Sequence, residues 1–285
     1  MRQDDLIEAE ESQEMEDSLS LDAVLLSRAY LYTLFHKLFG MKPVLTLLEC
    51  ATSSATVNAL DQYEILNKDL EDLLEKLGKE MSSDSSAGQL LQMVESEYGK
   101  FFVGPGDLSA IPFESPYITG LASVFQPSTL VVRQLYRKGG YRMKRLKHVP
   151  DDHVSSFCQF MAELSVRARS SLYEQEPEVA LGVLSIQRET IEDHLLPWVP
   201  RYAEQAGSSR QAVFYPAWIK ALESFCKADC AVAAEAEAWI RERDFQADYV
   251  AMLAPDSFKE MEAELRNLVG LRSIGLEDVE LLRIA

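Results

Sequence analysis

From Leu21 to Phe39 the apolar side chains Val24, Leu31, Leu34, Phe35 and Leu38 recur at steps of three and four. That is the period of a helix that buries one face. The same spacing governs Leu66, Leu70, Leu73, Leu74 and Leu77, then Leu90, Met93, Val94 and Tyr98. No stretch alternates apolar and polar residues between turns, as a strand would, and no repeat of twenty to fifty residues suggests a solenoid. The expected class is all-α.

Breakers divide the pattern. Gly40 and Pro43 end the first helix, and Pro43 suits the opening of a second that runs to about Ala55. A third covers Leu60 to Leu77, and a fourth covers Gln89 to Phe102 and stops at Gly104-Pro105-Gly106. Residues 103–127 read as a long loop, because Pro112 and Pro116 oppose a helix through Pro112-Phe113-Glu114-Ser115-Pro116-Tyr117. A helix then runs from Pro127 to Gly139-Gly140, and another begins at Pro150, where Asp151 or Asp152 can cap it while His153 packs nearby. Further helices are expected at about 177–195, 197–206, 209–227, 229–254 and 256–269, with a short last one near 275–283.

The 285 residues are 47% hydrophobic, enough for one substantial core. The net charge of −18 repels phosphate backbones and argues against nucleic acid as a partner. Nine acids (Asp4, Asp5, Glu8, Glu10, Glu11, Glu14, Glu16, Asp17, Asp22) against Arg2 mark the N-terminal segment as an acidic, disordered tail. The chain shows neither a secretory signal pattern nor an apolar run long enough to span a membrane, so a cytoplasmic protein without membrane insertion is expected. Cys50, Cys158, Cys226 and Cys230 are too few for a disulfide scaffold and read as free thiols.

Motifs for phosphate loops, dinucleotide binding, a serine nucleophile elbow and zinc hydrolysis are missing, and none of the four histidines follows a Glu by three residues as a di-iron bundle needs. Two acidic-histidine clusters, Asp151-Asp152-His153 and Glu192-Asp193-His194, could hold a metal or act as acid and base. The plainer reading makes the first a helix cap and the second a favourable histidine late in a helix. Arg133 to His148 carries seven Arg or Lys residues and no acid. This is a solvated basic face, an internal partner for the acidic tail, or a local contact for phosphate or an acidic peptide. Most aromatic residues belong to the core, while Phe113 and Tyr117, in the proline-bounded loop, are candidates to floor a groove.

The order of segments carries a resemblance. A first helix with Arg28 and Tyr30 leads to Glu97-Tyr98, Phe101-Phe102-Val103-Gly104-Pro105 and Pro112-Phe113-Glu114-Ser115-Pro116-Tyr117. Pro150-Asp151-Asp152-His153, Phe160-Met161, His194-Leu195 and Pro197-Trp198 follow. Over about residues 20–225 this resembles the TorD/DmsD/NarJ family of chaperones for molybdenum-cofactor oxidoreductases. The resemblance implies a single compact helical bundle that binds the twin-arginine signal peptide, or the apo form, of a molybdopterin oxidoreductase catalytic subunit. It would delay export until cofactor insertion, touch the export machinery transiently, act as no enzyme and need no metal or cofactor of its own. Residues 1–18 would be the tail, 19–227 the chaperone domain and 228–285 a helical C-terminal extension beyond the usual family length.

By position, Ser115 and Tyr117 match the family's loop motif, Pro112 and Phe113 its proline and aromatic, and Asp152 and His153 its acidic-histidine motif. A twin-arginine peptide offers two guanidinium groups and an apolar stretch. Asp151, Asp152 and Glu114 are therefore assigned to the arginines, and Tyr117, Phe113 and Tyr30 to the groove floor. Two alternatives stand beside this reading. One is a NarJ-like assembly factor for a cytoplasmic oxidoreductase subunit without signal-peptide binding, and the other is a metal-dependent hydrolase built on the two acidic-histidine clusters.

Overall fold

The computed structural model describes residues 3–104, 108–121, 123, 126–146, 148–209, 212–242 and 256–284, with the backbone alone at 3–20 and 256–257. The expected disordered tail, residues 1–18, therefore lies outside the described side chains, although helix α1 is traced over Gln3–Gly40. The remaining helices of the N-terminal half are α2 Leu45–Ala51, α3 Ser54–Gln62, α4 Lys68–Met81, α5 Asp84–Tyr98, α6 Glu114–Thr119 and α7 Ser128–Lys138. The C-terminal half holds α8 Val154–Tyr173, α9 Pro177–Glu189, α10 Val199–Gly207, α11 Phe214–Glu242, α12 Asp256–Gly270 and α13 Leu276–Val279. Wide π-type turns extend α5 through Gly99–Val103 and α9 through Thr190–Leu195. The fold is all-α, as the periodicity requires.

The bundle is built around α1, which packs along α8 and also against α12, while α11 packs against α9 and α10. Phe35 of α1 meets Trp218 and Phe225 of α11 at ring separations of 6.2 and 5.8 Å. A polar knot crosses this apolar centre. Arg28, fully buried on α1, donates from Nε and Nη2 to Asp229 of α11 at 2.6 and 3.1 Å, and from Nη1 to Gln187 of α9 at 2.9 Å. Tyr32 donates to the same Asp229 carboxylate at 2.8 Å, and Gln187 Nε2 donates to Met161 O of α8 at 2.9 Å. Four helices thus share one hydrogen-bonded set, which satisfies groups that would be costly to bury alone.

Glu97, at the end of α5, has a comparable role. Its buried carboxylate accepts from the backbone N–H groups of Val213, Phe214 and Tyr215 at 2.9, 3.0 and 3.1 Å. Those donors open α11 and have no partners within the helix.

Several expectations need correction. The helix expected from Pro43 to Ala55 is two, because Ser53 caps α3 by accepting from Thr56 N at 3.3 Å. The loop expected throughout Pro112 to Tyr117 contains α6, since Pro116 falls in its first turn, where no intrahelical N–H is lost. The helices expected at 209–227 and 229–254 are continuous in α11 as far as Glu242, with neither Gly nor Pro near residue 228 to break them; residues 243–254 lie outside the described residues. The short last helix ends at Val279, and Leu281–Arg283 (β2) pairs antiparallel with Tyr141–Met143 (β1). These strands are three residues each and show no period of their own, so only their tertiary pairing reveals them. Among the described residues no helix is long and apolar enough to cross a membrane, and the four cysteines are free.

Candidate functional site

The proline-bounded loop and the start of α8, 37 residues apart at Ser115 and Asp152, meet at one junction. Phe113 and His153 form an isolated antiparallel bridge. Val154 N donates to Pro112 O at 2.9 Å, and Glu114 N donates to Asp152 O at 3.1 Å. Asp152 then extends Oδ2 to Ser115 N at 2.8 Å, so it caps α6 rather than α8. His153 caps α8 instead, with Nδ1 accepting from Ser155 N at 3.1 Å. The capping role expected of the aspartates at α8 therefore passes to the histidine, because the Asp152 side chain is already committed to the neighbouring helix.

Each candidate carboxylate already has a partner. Asp151 is gripped by Arg133 of α7 through Nε at 3.0 Å and Nη2 at 2.6 Å, a forked guanidinium pair, and its backbone O accepts from Tyr136 at 2.9 Å. Glu114 Oε1 lies 3.0 Å from His194 Nδ1. Asp151, Asp152 and Glu114 are 4%, 0% and 5% exposed, so none presents a free carboxylate at the surface in this conformation. Burial raises the pKa of Asp152, opposed by its bonds from Ser115, and it raises Glu114, opposed by His194. Burial alone would lower His194, yet the hydrogen bond and charge of Glu114 win and raise it. With both groups shifted upward, the pair holds one proton between them to higher pH than a free carboxylate would. His153 has no such partner, and burial pushes it down to about 3.

The aromatic side of the junction comes from α6 and α10. Tyr117 stacks on Trp198 at 5.4 Å, donates to Gln205 at 2.6 Å and lies beneath the Arg201 guanidinium at 5.5 Å. Phe113 is half-buried and meets His153 edge to face at 5.1 Å. Pro112 and Ser115 are buried in the backbone crossing. Tyr30 is elsewhere: fully buried, its hydroxyl lies 2.8 Å from Thr56 Oγ1 and 3.3 Å from Ser53 Oγ, so it ties α1 to α3. Tyr30 thus takes no part in this junction, and Trp198, itself fully buried, backs Tyr117 from within. His194, Arg133, Arg201 and Gln205 also join the site, and only His194 and Trp198 could be read beforehand, from the His194-Leu195 and Pro197-Trp198 segments. Ile118 on α6, Leu121 just after it, and Leu130 and Val131 on α7 are each more than half exposed.

The two acidic-histidine clusters do not combine into a metal site. His194 turns to Glu114 rather than to its sequence neighbours, and Glu192 approaches Cys230 and Arg188. Among the described residues, no three His, Cys, Asp or Glu side chains are placed to hold a metal ion. The basic segment is also accounted for in part: Lys144, Arg145 and His148 face Glu277, Asp278 and Glu280 of the C-terminal segment.

The chain is similar to known proteins over about half of its length or more. The family model described as "Nitrate reductase delta subunit" matches residues 63–204, a span that contains the junction except Gln205. The Chaperone protein TorD of Vibrio parahaemolyticus is 24% identical over 207 residues, 72% of this chain and 93% of that protein. The chain belongs to the TorD/NarJ family of chaperones. Its TorD relatives in Vibrio atlanticus and Photobacterium profundum are 22% and 24% identical, over 61% and 48% of this chain. The chain spans 62% of the Photobacterium protein's length, under two thirds, and 77% of the Vibrio atlanticus protein's. No solved structure matches. The TorD relatives are named as chaperones, a non-enzymatic role.

Proposed function

We propose that this chain is a maturation chaperone that binds the twin-arginine signal peptide, or the apo form, of a molybdopterin oxidoreductase catalytic subunit and delays its export until the cofactor is inserted. The observation that carries the reading is the forked Arg133–Asp151 pair at the junction: an internal guanidinium already occupies a carboxylate beside exposed apolar side chains. A twin-arginine peptide brings the same two chemistries in the same order, a guanidinium and then an apolar stretch. In this reading Asp151 and Glu114 exchange their internal cations for peptide arginines. Tyr117 and Phe113 line the floor, and Pro112, Ser115, Asp152 and His153 hold the loop in place. The boundary expected at residues 227/228 falls inside continuous α11, whose Asp229 binds Arg28 in the core, so the working domain includes α11 as far as Glu242; the compartment is the cytoplasm, and contact with the export machinery is transient.

The test is calorimetric titration of the full chain with the client's signal peptide and with a twin-lysine version. Tight binding that weakens at least tenfold with the lysines, with Asp151→Asn and with Ile118→Ser/Leu121→Ser supports the reading; equal affinity for all of them refutes the site. A second reading draws on the nitrate reductase delta-subunit match: an assembly factor for a cytoplasmic oxidoreductase subunit that carries no signal peptide. Affinity purification separates the two, since a captured catalytic subunit lacking a twin-arginine leader selects assembly.

A further inference from the structure

The C-terminal segment is bound to the body largely through its backbone. Ser156 Oγ donates to Val279 O at 2.9 Å, and Lys144 N donates to Glu280 O at 2.8 Å. Gln159 then grips both peptide groups of Leu281: its Oε1 accepts from Leu281 N at 2.5 Å and its Nε2 donates to Leu281 O at 3.4 Å. Ile284 N donates to Gly140 O at 2.7 Å, beyond the β1–β2 register of Tyr141↔Arg283, Arg142↔Leu282 and Met143↔Leu281. Burial changes once along the segment: Val279, Glu280 and Leu281 are buried, whereas Leu282, Arg283 and Ile284 are exposed.

The backbone bonds are those by which an extended peptide is taken up in strand addition, and Leu281 is the strand side chain that the body buries. The receiving surface consists of β1 on one side and the first turns of α8, through Ser156 and Gln159, on the other. It adjoins the functional junction: Ser156 lies three residues after His153, and its N–H donates to His153 O at 2.9 Å. Around it, Glu280 pairs with Lys144 at 2.8 Å and Arg272 at 3.3 Å, and Asp278 pairs with Arg145 at 3.3 Å. The three cations are 34%, 61% and 46% exposed, so these pairs loosen in salt.

We propose that this groove is a strand-accepting site which the chain's own residues 274–284 occupy at rest, and which they yield to an extended stretch of the client polypeptide that places an apolar side chain where Leu281 sits. The segment is then a competitor built into the chaperone. Backbone recognition makes the groove tolerant of sequence, as a site for an unfinished subunit must be. The identity of the competitor rests on the chaperone reading; the exchange itself does not.

The experiment uses a labelled peptide copying residues 274–284, with anisotropy as the readout, on the full chain. Leu281→Ala weakens only the internal segment. If the open form is a minor state, the labelled peptide binds this variant up to about tenfold more tightly than the wild type, because apparent affinity scales with the open fraction. Arg142→Cys/Leu282→Cys, in a Cys230→Ser background, joins a directly paired position on the exposed face at a separation that a disulfide spans. The oxidised protein loses binding at least tenfold relative to its own reduced form, which controls for folding. Equal binding by wild type, Leu281→Ala and both redox forms overturns the proposal and leaves the segment a fixed part of the core. Apo client that competes with the labelled peptide supports the assigned occupant. Exchange of the peptide without competition by client keeps the groove and removes the client from it, whether or not the signal peptide binds at the junction.

Discussion

Asp229→Ala tests the polar knot at the centre of the bundle. The change removes both acceptors that face Arg28 at 2.6 and 3.1 Å and the acceptor of Tyr32 at 2.8 Å. It leaves a fully buried guanidinium with only Gln187 at 2.9 Å among its hydrogen-bonded side chains. Breaking a buried pair by deleting one partner costs about 3–5 kcal/mol, and the orphaned tyrosine hydroxyl adds about 1 kcal/mol. Against a typical stability of about 5–15 kcal/mol this is a large fraction, and it corresponds to a fall in melting temperature on the order of 10 °C. The assay is urea denaturation followed by far-UV circular dichroism, with the midpoint shifting and the slope unchanged. Replacing both partners, as Arg28→Met/Asp229→Leu, recovers most of the loss, since an apolar pair needs no counter-charge. A single substitution costing under about 1 kcal/mol, or a double variant as unstable as the single one, refutes the reasoning.

Four further outcomes follow from the same geometry. His36 and His153 are both buried and pushed down to about 3, so the unfolded chain takes up their protons first: their contribution is complete above about pH 6.5 and is lost as pH falls toward 3. The pair costs roughly 4 kcal/mol between pH 7 and pH 5; urea midpoints across that range should fall, and His153→Asn should flatten the slope. His194 and Glu114, shifted upward, act in the opposite direction, losing stability as pH rises through their folded pKa values, so His194→Gln should steepen the acid loss. Glu97→Ala strips the acceptor from three N–H groups at the start of α11; a loss of about 2–3 kcal/mol is expected in thermal melts, with Glu97→Gln in between. In Gly40→Ala the new Cβ lands on Ser155 Oγ and 2.9 Å from Val279 Cγ2, an overpacking worth about 1–3 kcal/mol, visible as faster hydrogen exchange over residues 274–284.

Legibility in the sequence followed the range of the forces. The apolar period placed α4 and α5 because each carries its own buried stripe, it placed α1 and α8 as well although α1 is buried on every face from Leu25 to Gly40, and Pro177 marked the start of α9. Spacing could not reveal that Asp152 caps a helix 37 residues away, or that Glu114 meets His194 across 80 residues. Those contacts depend on how helices pack, not on local pattern. Nor could it reveal the two short strands, since Leu281–Arg283 becomes a strand only because β1 and Gln159 receive it. Tyr30 was misplaced for a related reason: a tyrosine on a buried stripe reads alike whether its hydroxyl ends in a groove or against Thr56.

Asp152 and His153 are neighbours in the chain, yet each caps a different helix, α6 and α8 respectively. The segment from residue 116 to residue 150, with α7 and β1 inside it, is therefore a loop closed at its neck. Lengthening such a closed loop is cheap, about 0.6 kcal/mol for each doubling, while inserting a single residue between the two caps would force one helix to give up its partner. The segment above the neck can thus change in length at little cost, provided that Asp152 and His153 stay adjacent and Arg133, Tyr136 and β1 keep their partners.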